Sequence, residues 1–168
     1  MSFDIWLDCF RKGHPAPFKR EVFEAIFLPF CSNRAEYKSH PSFMQVEYPD
    51  GGRADIDLSN LDEAVLESAS AGGLIPPEEI GDVLDRAQGD PNFIQHIGFT
   101  HCGGEAFFQG MYELASRTGS IIHWPDEDSI FVYTDDTVLK ELPQEYFGDA
   151  RRQRVGSGSD IIRAIENS

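Results

Sequence analysis

The chain is short of cysteine, of long apolar runs and, above all, of positive charge. Its three cysteines, Cys9, Cys31 and Cys102, are too few and too far apart for a disulfide framework. None forms a C-x-x-C pair, so no structural zinc site is expected, and an odd count suits a reducing compartment where thiols stay free. The longest uncharged apolar run, Ala25 to Cys31, falls far below the roughly 20 residues of a membrane span. The opening Met-Ser-Phe-Asp-Ile-Trp-Leu-Asp has acids where a signal peptide is apolar, so the expectation is a cytoplasmic protein with no membrane partner. G-x-x-x-x-G-K-[ST], G-x-G-x-x-G and G-x-S-x-G are all missing, and the five histidines show neither H-x-x-x-H nor H-E-x-x-H spacing. No cofactor and no metal site is expected.

The 14 basic side chains face 29 acidic ones, a formal net charge of −15. Residues 1–60 hold 7 basic and 9 acidic side chains, residues 61–150 hold 3 and 18, and residues 151–168 hold 4 and 2. The middle of the chain therefore carries the whole excess. A field of that sign repels nucleic acid and anionic membranes and attracts a basic protein, or it simply keeps the surface solvated.

With 168 residues, 40% hydrophobic and 26% charged, the chain is sized for a single globular domain spanning 1–168. Residues 3–10 alternate as a half-buried strand: Phe3, Ile5, Leu7 and Cys9 share one face, and Asp4 and Asp8 make the other wetter. A loop at 12–17 leads to a helix over Phe18–Leu28, closed by Pro29. Strands at Phe43–Tyr48 and Ala54–Leu58 flank Pro49-Asp50-Gly51-Gly52, a strong hairpin signal. Residues 60–91 form an acidic helical insertion, with one helix capped by Asn60 and another opened by Pro76-Pro77-Glu78-Glu79.

A strand at Phe93–Thr100 precedes a helix from 104 to about Arg117. That helix bears the widest apolar stripe (Phe107, Met111 and Leu114 beside Phe108, Tyr112 and Ala115) and stops at Gly119. Strands at 120–124 and 130–133, short helices near 137–142 and 144–147, a strand at 153–155 and a last helix from Asp160, capped by Ser159 in the tail 156–168, complete the pass. Each half reads β-α-β-β. The fold class expected is α+β, a two-layer sandwich of a mainly antiparallel sheet with helices on one face.

Candidate chemistry is sparse. His101-Cys102-Gly103-Gly104 places a cysteine beside a histidine at a helix start, where backbone N–H groups stabilise a thiolate; equally, the glycines permit a tight strand-to-helix turn with Cys102 as core filler. His96, His101 and His123 lack any linear ligand spacing. Asp55-x-Asp57 puts two carboxylates on one strand face, as metal-dependent nucleases do and as solvent-facing alternation does. Phe18, Phe30, Tyr37, Trp124, Tyr133 and Tyr146 fall near element ends, where aromatics amid acids suit a protein-binding surface.

Phe3-Asp4-Ile5-Trp6-Leu7, the run Tyr48–Ile56, and His101-Cys102-Gly103-Gly104-Glu105-Ala106-Phe107-Phe108 resemble segments of small acidic bacterial immunity proteins of polymorphic toxin systems, of the type VI secretion and Rhs kinds. Tyr112-Glu113-Leu114-Ala115, Thr118-Gly119-Ser120 and Trp124-Pro125 extend the resemblance, which covers most of 1–60 and 93–165 and leaves 60–91 as an extra segment. It implies no catalytic residues. It implies a non-enzymatic cytoplasmic protein that binds and neutralises a cognate toxin domain, and the acidic charge adds the expectation that the toxin's contacting face is basic. The contact residues expected are Glu78, Glu79, Asp82 and Asp85 in the insertion, and Trp124, Asp126, Glu127 and Asp128 in the later loop. The competing expectation is a small hydrolase or transferase using Cys102 and a histidine.

Overall fold

The computed structural model describes residues 4–58, 92–126, 130–143 and 151–168. The insertion at 60–91, with Glu78, Glu79, Asp82 and Asp85, lies outside the described residues, as do Glu127, Asp128 and the helical turn expected at 144–147. What is described is an α+β fold, a mostly antiparallel mixed sheet with five α-helices.

In chain order the elements are β1 (Ile5–Arg11), β2 (His14–Pro15), β3 (Phe18–Lys19), α1 (Arg20–Phe27), a 3₁₀ turn (Leu28–Phe30), α2 (Arg34–Ser39), β4 (Phe43–Glu47) and β5 (Arg53–Asp57). They continue as β6 (Phe93–Ile94), β7 (His96–Gly103), α3 (Glu105–Thr118), β8 (Ser120–His123), β9 (Phe131–Tyr133), α4 (Asp136–Leu139), β10 (Arg152–Arg154) and α5 (Gly158–Glu166). The main sheet runs β10-β9-β8-β1-β7-β5-β4, with β2 hairpinned onto β1, while β3 and β6 form a separate ribbon. Only β9 and β10 pair in parallel among these strands. Helix α3 leaves β7 and feeds β8, which lies beyond β1, so the N-terminal strand sits inside a split β-α-β crossing.

Several boundaries differ from the sequence expectation, each for a local reason. Phe18 and Lys19 pair with Ile94 and Phe93, so the first helix starts at Arg20, and Pro29 sits within the 3₁₀ turn. Helix α2 was not expected. The last helix is capped by Ser157, whose hydroxyl accepts from the Asp160 N–H at 3.2 Å, rather than by Ser159.

One face of the sheet carries the main core. Ile5, Leu7, Met44, Ile56, Ile97, Phe99 and Ile122 meet Phe23 and Phe27 of α1, Phe107 and Met111 of α3 and Ile161 of α5. The wide stripe of α3 is buried, and the Phe107 ring packs against Phe27, Tyr48 and Phe99. Glycines set how closely the helices approach: a Cβ on Gly110 would lie 3.2 Å from the Phe27 ring, and one on Gly158 would lie 2.3 Å from the Gln109 backbone nitrogen. The Arg11 guanidinium donates to the Thr118 carbonyl at 2.8 Å, placing a cation at the negative end of α3.

Helices do not all lie on that face. Phe10, Ile121 and Phe131 alternate away from it and form a second cluster with Val138 of α4. The expectation of helices on one face is corrected to that extent, because these strand ends carry large side chains on both sides.

The two glycine-rich motifs meet each other. Gly104 (φ +97°) packs so tightly on the 50–52 turn that a Cβ there would lie 2.4 Å from the Gly52 Cα. Asp50 spans the contact: one carboxylate oxygen accepts from the Gly52 N–H at 2.8 Å, and the other accepts from the Ala106 N–H at 3.0 Å in the first turn of α3. These backbone donors hold the Asp50 carboxyl below its ordinary range. The helix is thus capped from a distant hairpin.

Two stability predictions follow from this packing. Phe107→Ala costs about 3–5 kcal/mol, read as a shift in urea midpoint. Gly51 also has positive φ but open space around it. Gly51→Ala therefore costs only the conformational penalty of about 1–2 kcal/mol. Gly104→Ala costs at least about 2 kcal/mol beyond that, because the added methyl overpacks the Gly52 contact.

Candidate functional site

The outer face of the sheet, opposite the main core, gathers titratable side chains into two clusters. Strand pairing builds the first. Asp8 of β1 sits directly opposite His96 of β7, and Trp6, two residues earlier, sits opposite His123 of β8. His96 Nδ1 lies 2.6 Å from Asp8 Oδ1, and His123 Nε2 lies 2.5 Å from Asp8 Oδ2. A carboxylate only accepts, so each of these ring nitrogens carries its proton. The side chains of Asp8, His96 and His123 are 19%, 18% and 24% exposed. Burial alone would raise the Asp8 carboxyl, but hydrogen bonds from His123 and His96, with their charge, outweigh it and hold the group well below the usual carboxylate range. The Trp6 indole stacks at a tilt on His123, 5.5 Å between ring centres.

This triad is a hydrogen-bonded unit rather than a cation cage. Both imidazoles contact the carboxylate directly, leaving no common centre between the three groups. Among the described residues no group of three His, Cys, Asp or Glu side chains is arranged to hold a metal ion.

The second cluster lies toward the β4 edge. The pairing of β5 with β7 shifts register between Arg53↔Gly103 and Asp55↔Thr100, a bulge that falls on His101 and Cys102. His101 takes a positive φ of 51° there, uncommon for a residue with a side chain. Its Nδ1 donates to Asp55 Oδ2 at 2.9 Å, while Gln45 Nε2 donates to Asp55 Oδ1 at 3.0 Å. Around this dyad lies a pocket of about 320 Å³ lined by Ser32, Gln45, Glu47, Arg53, Asp55 and His101, with Val46 and Ala54 at its base. Asp55 and Asp57, expected to share a face, do so, but Asp55 turns to His101 and Gln45.

Cys102 packs against the core on the other side of the strand. Burial, with the negative charge of Asp4, pushes its thiol up to about 11, so it is protonated at neutral pH. Of the two glycines at this turn, Gly104 makes the close contact with Gly52, while a Cβ on Gly103 would meet open space.

Of the expected toxin-contacting residues, two are described. Trp124 is 2% exposed and belongs to the main core, its Nε1 donating to Ser168 Oγ at 3.3 Å, which corrects its assignment to a contact surface. It lies two residues beyond the inward-facing Ile122, so strand parity turns it the same way. Asp126 is half-buried. Among the loop aromatics Phe18 and Tyr37 are buried, and Phe30 is exposed and stacks on Tyr48 with ring centres 4.3 Å apart. The Tyr48 hydroxyl beneath it is buried without a hydrogen-bond partner among the described residues.

No family model, curated protein or solved structure matches the chain.

The Asp8 cluster sets a pH dependence. Its carboxyl ionises more readily folded than unfolded, so its stabilisation is complete above the ordinary unfolded Asp value of about 4 and drains away as pH falls toward the lower folded value. Asp8→Asn should cost about 2 kcal/mol at pH 7. The gap between the two proteins, measured by urea denaturation, should narrow steadily below about pH 4. A constant gap down to pH 2 would remove Asp8 as its source.

Proposed function

We propose that the chain is an immunity protein that binds a cognate toxin domain by direct contact and neutralises it in the cytoplasm. The observation that carries this reading is the segregation of charge. The described residues hold 17 acidic and 13 basic side chains, while the remaining ones hold 12 acidic and a single basic side chain. A near-neutral scaffold thus bears segments that are almost purely acidic, the arrangement that draws in and orients a basic protein. The contacting side chains in this reading are Glu78, Glu79, Asp82, Asp85, Asp126, Glu127 and Asp128.

The finer architecture belongs to the same proposal: a two-layer scaffold of two β-α-β-β units, β1-α1-β4-β5 and β7-α3-β8-β9, interleaved through one sheet and sharing the main core, with α4 added on the other face. Support comes from the sheet order, in which each unit's first strand separates the strands of the other. Among the described residues no helix is long and apolar enough to cross a membrane. The Cys102 alternative gains nothing from a thiol that is protonated at neutral pH.

The test is co-expression. Cells making the toxin domain encoded beside this gene should stop growing alone and recover when the chain is supplied, and the two proteins should co-purify as one complex. Growth arrest that persists with both present overturns the reading. Kinetics test the role of charge: changing Asp126, Glu127 and Asp128 together to lysine should slow association about tenfold or more at low salt, with a smaller effect on dissociation. The difference should shrink at 1 M salt, where the Debye length is about 3 Å. Unchanged association would make the acidity a solubility device.

A further inference from the structure

The hydrogen bonds around the β4–β5–β7 pocket determine what it offers a ligand. His101 spends its Nδ1–H on Asp55, so the neutral ring presents Nε2 as an acceptor. Gln45 spends one amide N–H on the other Asp55 oxygen and keeps its Oε1 as an acceptor beside its second N–H. The Ser32 hydroxyl donates to the Gln45 carbonyl at 3.3 Å and is left with its lone pairs. Glu47 adds a carboxylate with no ion-pair or hydrogen-bond partner among the described residues. Four different side chains therefore end in acceptors around one cavity. Among the described residues its charged donor is Arg53, which sits directly across the strand pair from Glu47 and is likewise without an ion-pair partner among them.

Acceptors spread around a cavity select a ligand with several donors in a fixed plane. An ammonium has three donors at one point, whereas a guanidinium has five in a rigid fork. The two carboxylates, Glu47 and Asp55, outnumber the guanidinium of Arg53, which gives the site a negative balance while His101 is neutral. At about 320 Å³ the cavity lies at the small end of ligand pockets, room for one side chain rather than a stretch of chain.

We infer that this pocket is a socket for the guanidinium of an arginine side chain presented by the partner protein. The identity of that partner rests on the immunity reading; the chemistry of the socket does not. Arg53, at the rim, is the like charge that an entering arginine meets, so its removal strengthens binding. His101 accepts a strained backbone at a position where glycine would be at ease, and its bond to Asp55 aims its free nitrogen.

The experiment titrates the full chain with Nα-acetyl-L-arginine amide, following backbone amide and His101 imidazole signals by nuclear magnetic resonance at neutral pH. Saturable shifts centred on Ser32, Gln45, Glu47, Asp55 and His101 are expected, with a Kd on the order of 1 mM for a single side chain. Glu47→Gln should weaken binding about three- to fivefold, and Arg53→Gln should tighten it by a similar factor. Both residues are exposed, so both variants should fold. His101→Gly should keep or raise stability while weakening binding, which a purely structural histidine would not do. Nα-acetyl-L-glutamine amide should not bind.

Absence of saturable shifts overturns the socket. So does the reverse order of effects, tightening in Glu47→Gln and weakening in Arg53→Gln, which would mark an anion site. Free L-arginine binding tenfold tighter than the amide would replace a partner's side chain by a small metabolite. Because no toxin enters the titration, its failure leaves the co-expression result standing, and failure of co-expression leaves the titration standing.

Discussion

The antiparallel pairing of β1 with β7 is the contact on which the rest of the structure hangs. Ile5 opposite Phe99 and Leu7 opposite Ile97 lay the floor of the main core, while Asp8 opposite His96 begins the outer cluster. One register thus decides both faces, and a slip of a single residue would turn apolar side chains outward and the carboxylate inward. The partners lie about ninety residues apart in the chain. Because α3 must cross over β1 to reach β8, the centre of the sheet closes only once both halves are present. Such non-local pairing carries a large loop-closure cost and favours slow, all-or-none assembly.

What a linear reading could see was local. Asp50-Gly51 announces its hairpin, Gly119 announces the end of α3 with a left-handed φ of 66°, and the apolar stripe of α3 announces the best-buried of the described helices. Helix α2 escaped because Tyr37 is its one buried side chain, so there is no repeat from which a period could be recognised. The glycine pairs at 51–52 and 103–104 are visible as two motifs, yet one member of each, Gly52 and Gly104, makes a single contact between them. Nothing in either motif names the other.

The polar clusters were hidden for the same reason. Asp8, Asp55, His96, His101 and His123 each stood out as a residue type, but the pairs Asp8–His96 and Asp55–His101 exist only through strand register. A positive φ at His101 was not foreseeable either, since a bulge leaves no mark in composition. Trp124 was different: its parity with Ile122 was already in the sequence and points inward. Aromatic character near a loop suggests a contact surface, but alternation decides which way the side chain faces.

Both ends of the described sheet are blunted. Along β4, Gln45 has its N–H bound to Asn33 Oδ1 and its carbonyl bound to the Ser32 N–H, and Cys31 bridges to Val46. At the other end β10 presents Arg152 and Arg154 on an exposed strand of three residues. A visiting chain finds no clear ladder of backbone groups to extend. Recognition by strand addition reads mostly main chain and so tolerates many sequences. A surface that withholds its edges is read through side chains instead, and discrimination between near-identical partners can then turn on one or two substitutions.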